Sequence, residues 1–157
     1  MKPFGKYSFA IGVSAAIVAT ATLAASHGSS NKAVAARHAQ MGMIAYHTGL
    51  LGGIAKGEIA YDSATVEAAA TNLQALASMD TSTLWTPGTE QGAAEGSRAK
   101  PEIWSDAAGF AAKMADLKNA AAAMSGAADQ AAVGAAMAGI GGSCKGCHET
   151  YRGPKNE

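Results

Sequence analysis

The sequence predicts an all-α protein, an antiparallel four-helix bundle, and three observations carry that prediction. Alanine dominates a chain with few β-branched runs, which favours helix over sheet. Four segments repeat apolar residues at spacings of three and four, the mark of one buried helical face. The links between them are short at two junctions and long at one, which suits antiparallel neighbours with a single crossover. With 157 residues, 48% hydrophobic and 15% charged, the chain is sized for one domain with a real core. Its 12 Lys+Arg balance 12 Asp+Glu, so it lacks the basic stripe of a nucleic-acid binder.

Residues 1–26 read as a leader removed on export. Lys2 and Lys6 precede an apolar, small-residue run from Phe9 to Ala25, and Thr22-Leu23-Ala24 or Ala24-Ala25-Ser26 offers a cleavage point. The competing reading is an uncleaved anchor, since the run nears the ~18 residues that can span a bilayer. Cleavage leaves 10 basic and 12 acidic residues, and a net of −2 is too small to steer a partner. Export implies a periplasmic protein with no membrane association after cleavage, in a compartment where a bare cysteine pair would oxidise.

Residues 27–157 form the bundle. The first helix is expected from about Asn31 to Ala55, with Val34, Arg37, Met41, Ile44, Thr48 and Leu51 on one face and Gly57 beyond its end. The second opens at Asp62-Ser63 and ends near Met79, burying Val66, Ala69, Leu73, Leu76 and Ala77. Asp80 to Lys100 contains Pro87, Gly88, Gly92 and Gly96 and reads as a crossover loop from which Trp85 packs back on the bundle. After Pro101, a third helix carries Ile103, Ala107, Phe110, Met114, Leu117, Ala121 and Met124 to a stop at Ser125-Gly126. Asp129 caps the fourth, where Val133, Met137, Ile140, Cys144, Cys147 and Tyr151 continue the spacing as far as Gly153-Pro154.

The chemistry lies in Cys144-Lys145-Gly146-Cys147-His148, which is C-x-x-C-H, the attachment signature of c-type haem. Residues three apart share a helical face, so both thiols can meet the two vinyl groups along one porphyrin edge. His148 follows at once and offers an imidazole nitrogen to the iron. Three other readings compete. A thioredoxin-like pair needs a βαβ context and a helix N-terminus, whereas this motif lies late in a helix. Zinc wants four ligands, and the other histidines, His27, His38 and His47, come with no second cysteine pair. A structural disulfide would leave His148 without a purpose.

Around this motif stand C-K-G-C-H-E-T-Y-R at 144–152, K-P-E-I-W-S-D at 100–106, W-T-P-G-T at 85–89 and K-G-E-I-A-Y-D at 56–62. On these the chain resembles the cytochrome c′ family, bacterial four-helix-bundle c-type cytochromes, from about Ala33 to Arg152. The resemblance implies one covalently bound haem c per chain, held by Cys144 and Cys147, with His148 as proximal ligand. It also implies Arg152 beside the proximal imidazole and Arg37 near a haem propionate. The position facing the distal side is Met41, either a bulky lid or a thioether ligand to iron. Met43 points away around the helix, and His38 and His47 lie off the stripe and are expected to be exposed.

Two functions follow from the two states of Met41. A six-coordinate iron suits an electron carrier with periplasmic redox partners; a five-coordinate iron suits binding of diatomic gases such as nitric oxide or carbon monoxide. A third reading, a structural bundle with an incidental disulfide, predicts a colourless protein. No acid–base pair or nucleophile constellation is evident in the sequence, so the chain does not read as an enzyme. The resemblance also implies a homodimer through the first two helices, where Gly42, Gly49, Gly52 and Gly53 permit close packing.

Overall fold

The computed structural model describes residues 31–155, so the expected leader over residues 1–26 lies outside the described residues. Helix α1 spans Lys32–Lys56 and begins where the Asn31 side chain accepts from the amides of Ala33 and Val34, at 3.0 and 3.2 Å. Those are two of the donors that a helix start leaves open. It ends at Gly57, whose φ of 77° is left-handed and whose amide returns to the carbonyls of Gly53 and Ile54. Helix α2, Ser63–Ser78, is capped by Asp62, which accepts from the Thr65 amide at 2.8 Å. The last helix, α5, spans Gln130–Tyr151 and is capped in the same way by Asp129 on the Ala132 amide.

The third predicted helix is divided. A single turn, α3 at Glu102–Ser105, precedes α4 at Ala107–Met124, and Asp106 between them leaves helical geometry at φ −127°, ψ 57°. Its carboxylate explains the break. It accepts from the Gly109 amide at 3.0 Å, capping α4, and from the Tyr151 hydroxyl at 2.6 Å. A short acidic side chain competes with the backbone in this way and so belongs at caps rather than in helix interiors. A Cβ at Gly109 would run into both members of the Asp106–Tyr151 pair, so a larger residue there would displace them.

The long helices close into a ring, α1 on α2, α2 on α4, α4 on α5 and α5 on α1. Leu51, Ile54, Leu73, Met124, Val133 and Ile140 fill its centre and are fully buried. A second, smaller cluster gathers Ala99, Ile103 and Tyr151 with Trp85, Trp104, Phe110 and Cys147 at the crossover end. There the loop is strapped to the C-terminal tail. An isolated antiparallel bridge pairs Ala99 with Arg152, with Lys100 donating to the Tyr151 carbonyl and Gly153 to that of Arg98. Among the described residues there is no strand beyond that bridge, and no helix is long and apolar enough to cross a membrane.

Candidate functional site

Residues from both clusters line a cavity of about 890 Å³ between α1, α4, α5 and the crossover loop. That volume is in the range of cofactor pockets. Met41 and Arg37 enter it from α1, Trp85 from the loop, Phe110 and Met114 from α4, and Cys144, Cys147 and His148 from α5. Five of the six predicted site residues thus meet there through helices far apart in sequence, and the sixth, Arg152, joins them from just beyond α5.

Cys144 and Cys147 stand half-buried on one face of α5 and are not joined in a disulfide. Burial pushes the Cys144 thiol up. It does the same to Cys147, where a negative Cys144 adds to the effect and Lys113 and Arg152 oppose it. These thiols stay neutral, unlike the acidified thiolate of a redox pair. His148 moves the other way: burial first, then the positive charges of Arg152 and Arg98, hold its imidazole below the usual range. The ring is therefore neutral, with a nitrogen lone pair free for a metal. Among the described residues no three His, Cys, Asp or Glu side chains form a group that could hold a metal ion.

Arg37 is 4% exposed and makes no carboxylate ion pair among the described residues. Its Nη2 donates to the Thr89 carbonyl at 3.0 Å, and its guanidinium lies 4.6 Å from the centroid of the Trp85 ring. Nη1 has no partner. A buried, permanently charged guanidinium on a residue that lines the cavity, with no carboxylate beside it, fits an anionic substituent of whatever the cavity holds. Burial lowers its pKa, which a paired anion would offset.

Met41 is half-buried at the cavity wall, whereas Met43 is 49% exposed on the outside of α1. His38 is exposed as expected, yet reaches the cavity's edge. His47 corrects the expectation: it is only 7% exposed, and neither ring nitrogen has a partner. It shares a flank of α1 with Gln40, which donates to the Leu76 carbonyl on α2 at 2.9 Å, so α2 covers that flank. The buried stripe of α1 is wider than its spacing suggested, and His47 does not line the cavity. Sequence reasoning missed Arg98, which lines the cavity beside His148, and Asp106, whose carboxylate pushes the Tyr151 hydroxyl up to about 12 by accepting its hydrogen bond. Asp106 was visible in K-P-E-I-W-S-D as a cap in waiting; Arg98 carried no local signal.

These residues fit a flat, largely apolar macrocycle with two attachment points, one axial nitrogen ligand and acidic edge substituents. The comparisons agree. The family model described as Cytochrome C' matches residues 32–152. Cytochrome c-554 from Cereibacter sphaeroides is 46% identical over 118 residues, covering 74% of this chain and 89% of that protein. A solved cytochrome c' from Rhodobacter Spheriodes is 39% identical with a TM-score of 0.74, covering 78% of this chain and 96% of its own. A nitric oxide complex of a leucine-to-alanine mutant of cytochrome c prime from Alcaligenes xylosoxidans is 36% identical with a TM-score of 0.66, covering 78% and 94%. The family match runs from the first residue of α1 to the residue that caps α5, so it takes in the whole ring of helices and the cavity inside it. The chain belongs to the cytochrome c′ family and is a four-helix-bundle protein with covalently attached haem c.

Proposed function

We propose that this protein is a periplasmic carrier of single electrons, exported by the leader at residues 1–26. Bound haem supplies the one-electron Fe(II)/Fe(III) couple, and the chain sets its potential and exposure. Cys144 and Cys147 hold the group by thioether bonds, and His148 is the proximal iron ligand. The observation that carries the electron-transfer reading is Met41, a thioether at the wall of the same apolar cavity that His148 lines. A sulfur ligand there gives a His/Met centre with a raised potential. Arg37 pairs with a propionate, and the charge of Arg152 beside the proximal imidazole favours the reduced state.

Binding of a diatomic gas is the second reading, favoured by the nitric oxide complex of the similar Alcaligenes xylosoxidans protein. It requires that Met41 be a lid rather than a ligand. Optical spectra of the oxidised and reduced protein, with and without carbon monoxide, separate the two. Electron carriage predicts a low-spin spectrum with a sulfur-to-iron band that disappears in Met41→Ala. A high-spin spectrum that shifts at once with carbon monoxide would reverse the order of the readings. A homodimer would use the outer face of α1, where Met43 and Tyr46 are 49% and 64% exposed three residues apart. Tyr46→Glu should then halve the mass seen in sedimentation.

A further inference from the structure

W-T-P-G-T, residues 85–89, is a run to which the haem site as described assigns no task, yet both its ends sit against Arg37. The Arg37 guanidinium lies over the Trp85 ring, 4.6 Å from its centroid, and Nη2 donates to the Thr89 carbonyl at 3.0 Å. These contacts occupy one face and one arm of the group, and Nη1 is the buried nitrogen left open. The seat is held by bonds that do not involve α1. The Trp85 carbonyl accepts from Trp104 Nε1 at 2.8 Å, and the Trp85 ring meets Phe110 edge-on at 4.8 Å. The Thr89 carbonyl also accepts from the Ser97 hydroxyl at 2.6 Å, while the Thr89 hydroxyl donates to the Thr86 carbonyl at 2.6 Å. Trp85, Ser97 and Phe110 line the cavity together with Arg37.

We propose that Trp85 is a positioning residue for Arg37: its ring, with the Thr89 carbonyl, presets the guanidinium for an anion held in the cavity that Arg37 lines. This rests on the reading of Arg37 as the partner of a haem propionate. A long arginine side chain loses much rotamer freedom when it must be ordered around an anion, and a preformed seat removes that loss at the moment of pairing. The indole is the best aromatic face for a cation, and a desolvated position strengthens the attraction. A well-held cation compensates the propionate charge near the iron, so loosening it favours the ferric state.

The experiment measures midpoint potential and thermal melting of the haem-loaded protein for Arg37→Gln, Trp85→Leu, Trp85→Phe and the pair Arg37→Gln/Trp85→Leu. Arg37→Gln lowers the potential. Trp85→Leu lowers it less, on the order of threefold in the reduction equilibrium, about 30 mV for one electron. Trp85→Phe, which keeps an aromatic face, recovers most of that shift and carries the comparison if the leucine variant does not accumulate. Trp85→Leu lowers the melting temperature in both backgrounds but leaves the potential of Arg37→Gln unmoved. Equal shifts of potential in both backgrounds, or no shift from Trp85→Leu while Arg37→Gln gives one, would overturn the positioning role. A potential unmoved by Arg37→Gln would overturn the propionate reading beneath it, and the role of Trp85 with it.

Discussion

Arg98 joins the crossover loop to the C-terminal tail, and Arg98→Ala tests how firmly. Its Nε stands 2.9 Å from the Gly153 carbonyl and 3.0 Å from that of Pro154, and Nη2 stands 2.7 Å from Gly153. Gln91 Nε2 also donates to the Pro154 carbonyl at 3.0 Å, so the tail keeps one side-chain anchor when the guanidinium is gone. A hydrogen bond from a charged group contributes about 1.5–3 kcal/mol when sheltered. Three contacts here share two acceptors and the Pro154 end is exposed, so the substitution should cost about 2 kcal/mol. That is about thirtyfold in an opening equilibrium.

The strap lies at the edge of the bundle, so the loss appears as local opening before global unfolding. Hydrogen exchange on the haem-loaded protein reads it directly. The amides of Gln91, Lys100 and Gly153, which donate to the carbonyls of Ala99, Tyr151 and Arg98, should exchange about thirtyfold faster, while core amides of α2 keep their protection. Arg98→Lys retains a cation without the two-armed fork and should behave almost like alanine. Unchanged protection at Gln91 and Lys100 in Arg98→Ala, or full recovery by lysine, would refute the account.

Three more predictions follow from single sites. Ile140, fully buried one turn before Cys144, should on truncation to alanine cost about 2–5 kcal/mol, read as a lower urea midpoint with an unchanged slope. Asp106 is held below its ordinary 3.8, first by the Tyr151 hydroxyl and then by the Gly109 amide, so the folded state binds fewer protons than the unfolded one. Its stabilisation is full above that ordinary value and is lost as pH falls through the depressed one, so Asp106→Asn should flatten the acid-unfolding curve below pH 3.8. Cys144→Ala and Cys147→Ala should each leave one thioether, and only the double variant should release all pigment to acidified organic solvent; release from either single variant would show that its remaining cysteine holds nothing.

Much of the molecule was legible in residues that lie close together in the chain. The ends of α1, α2 and α5 follow from Gly57, Asp62 and Asp129, because capping is a contact over two to four residues. The interior of the ring follows from the spacing of Val66, Leu73, Val133 and Ile140. The C-x-x-C-H pentapeptide is likewise local, and its place late on the apolar stripe of α5 follows from the same periodicity.

What the tertiary structure alone decided involves partners distant along the chain. The 4-3 spacing runs without interruption through Ile103, Ala107 and Phe110, and although Asp106 caps α4 locally, its second oxygen is engaged by the Tyr151 hydroxyl, 45 residues away. His47 is buried because α2 covers its flank, which no pattern within α1 records. Arg37 stands on the expected stripe, but the direction of its guanidinium is set by Trp85 and by Thr89, 52 residues on. Periodicity says which side of a helix leaves water, since that depends on the helix's own repeat. Where a side chain's polar atoms point depends on which donors, acceptors and rings the fold brings to meet them.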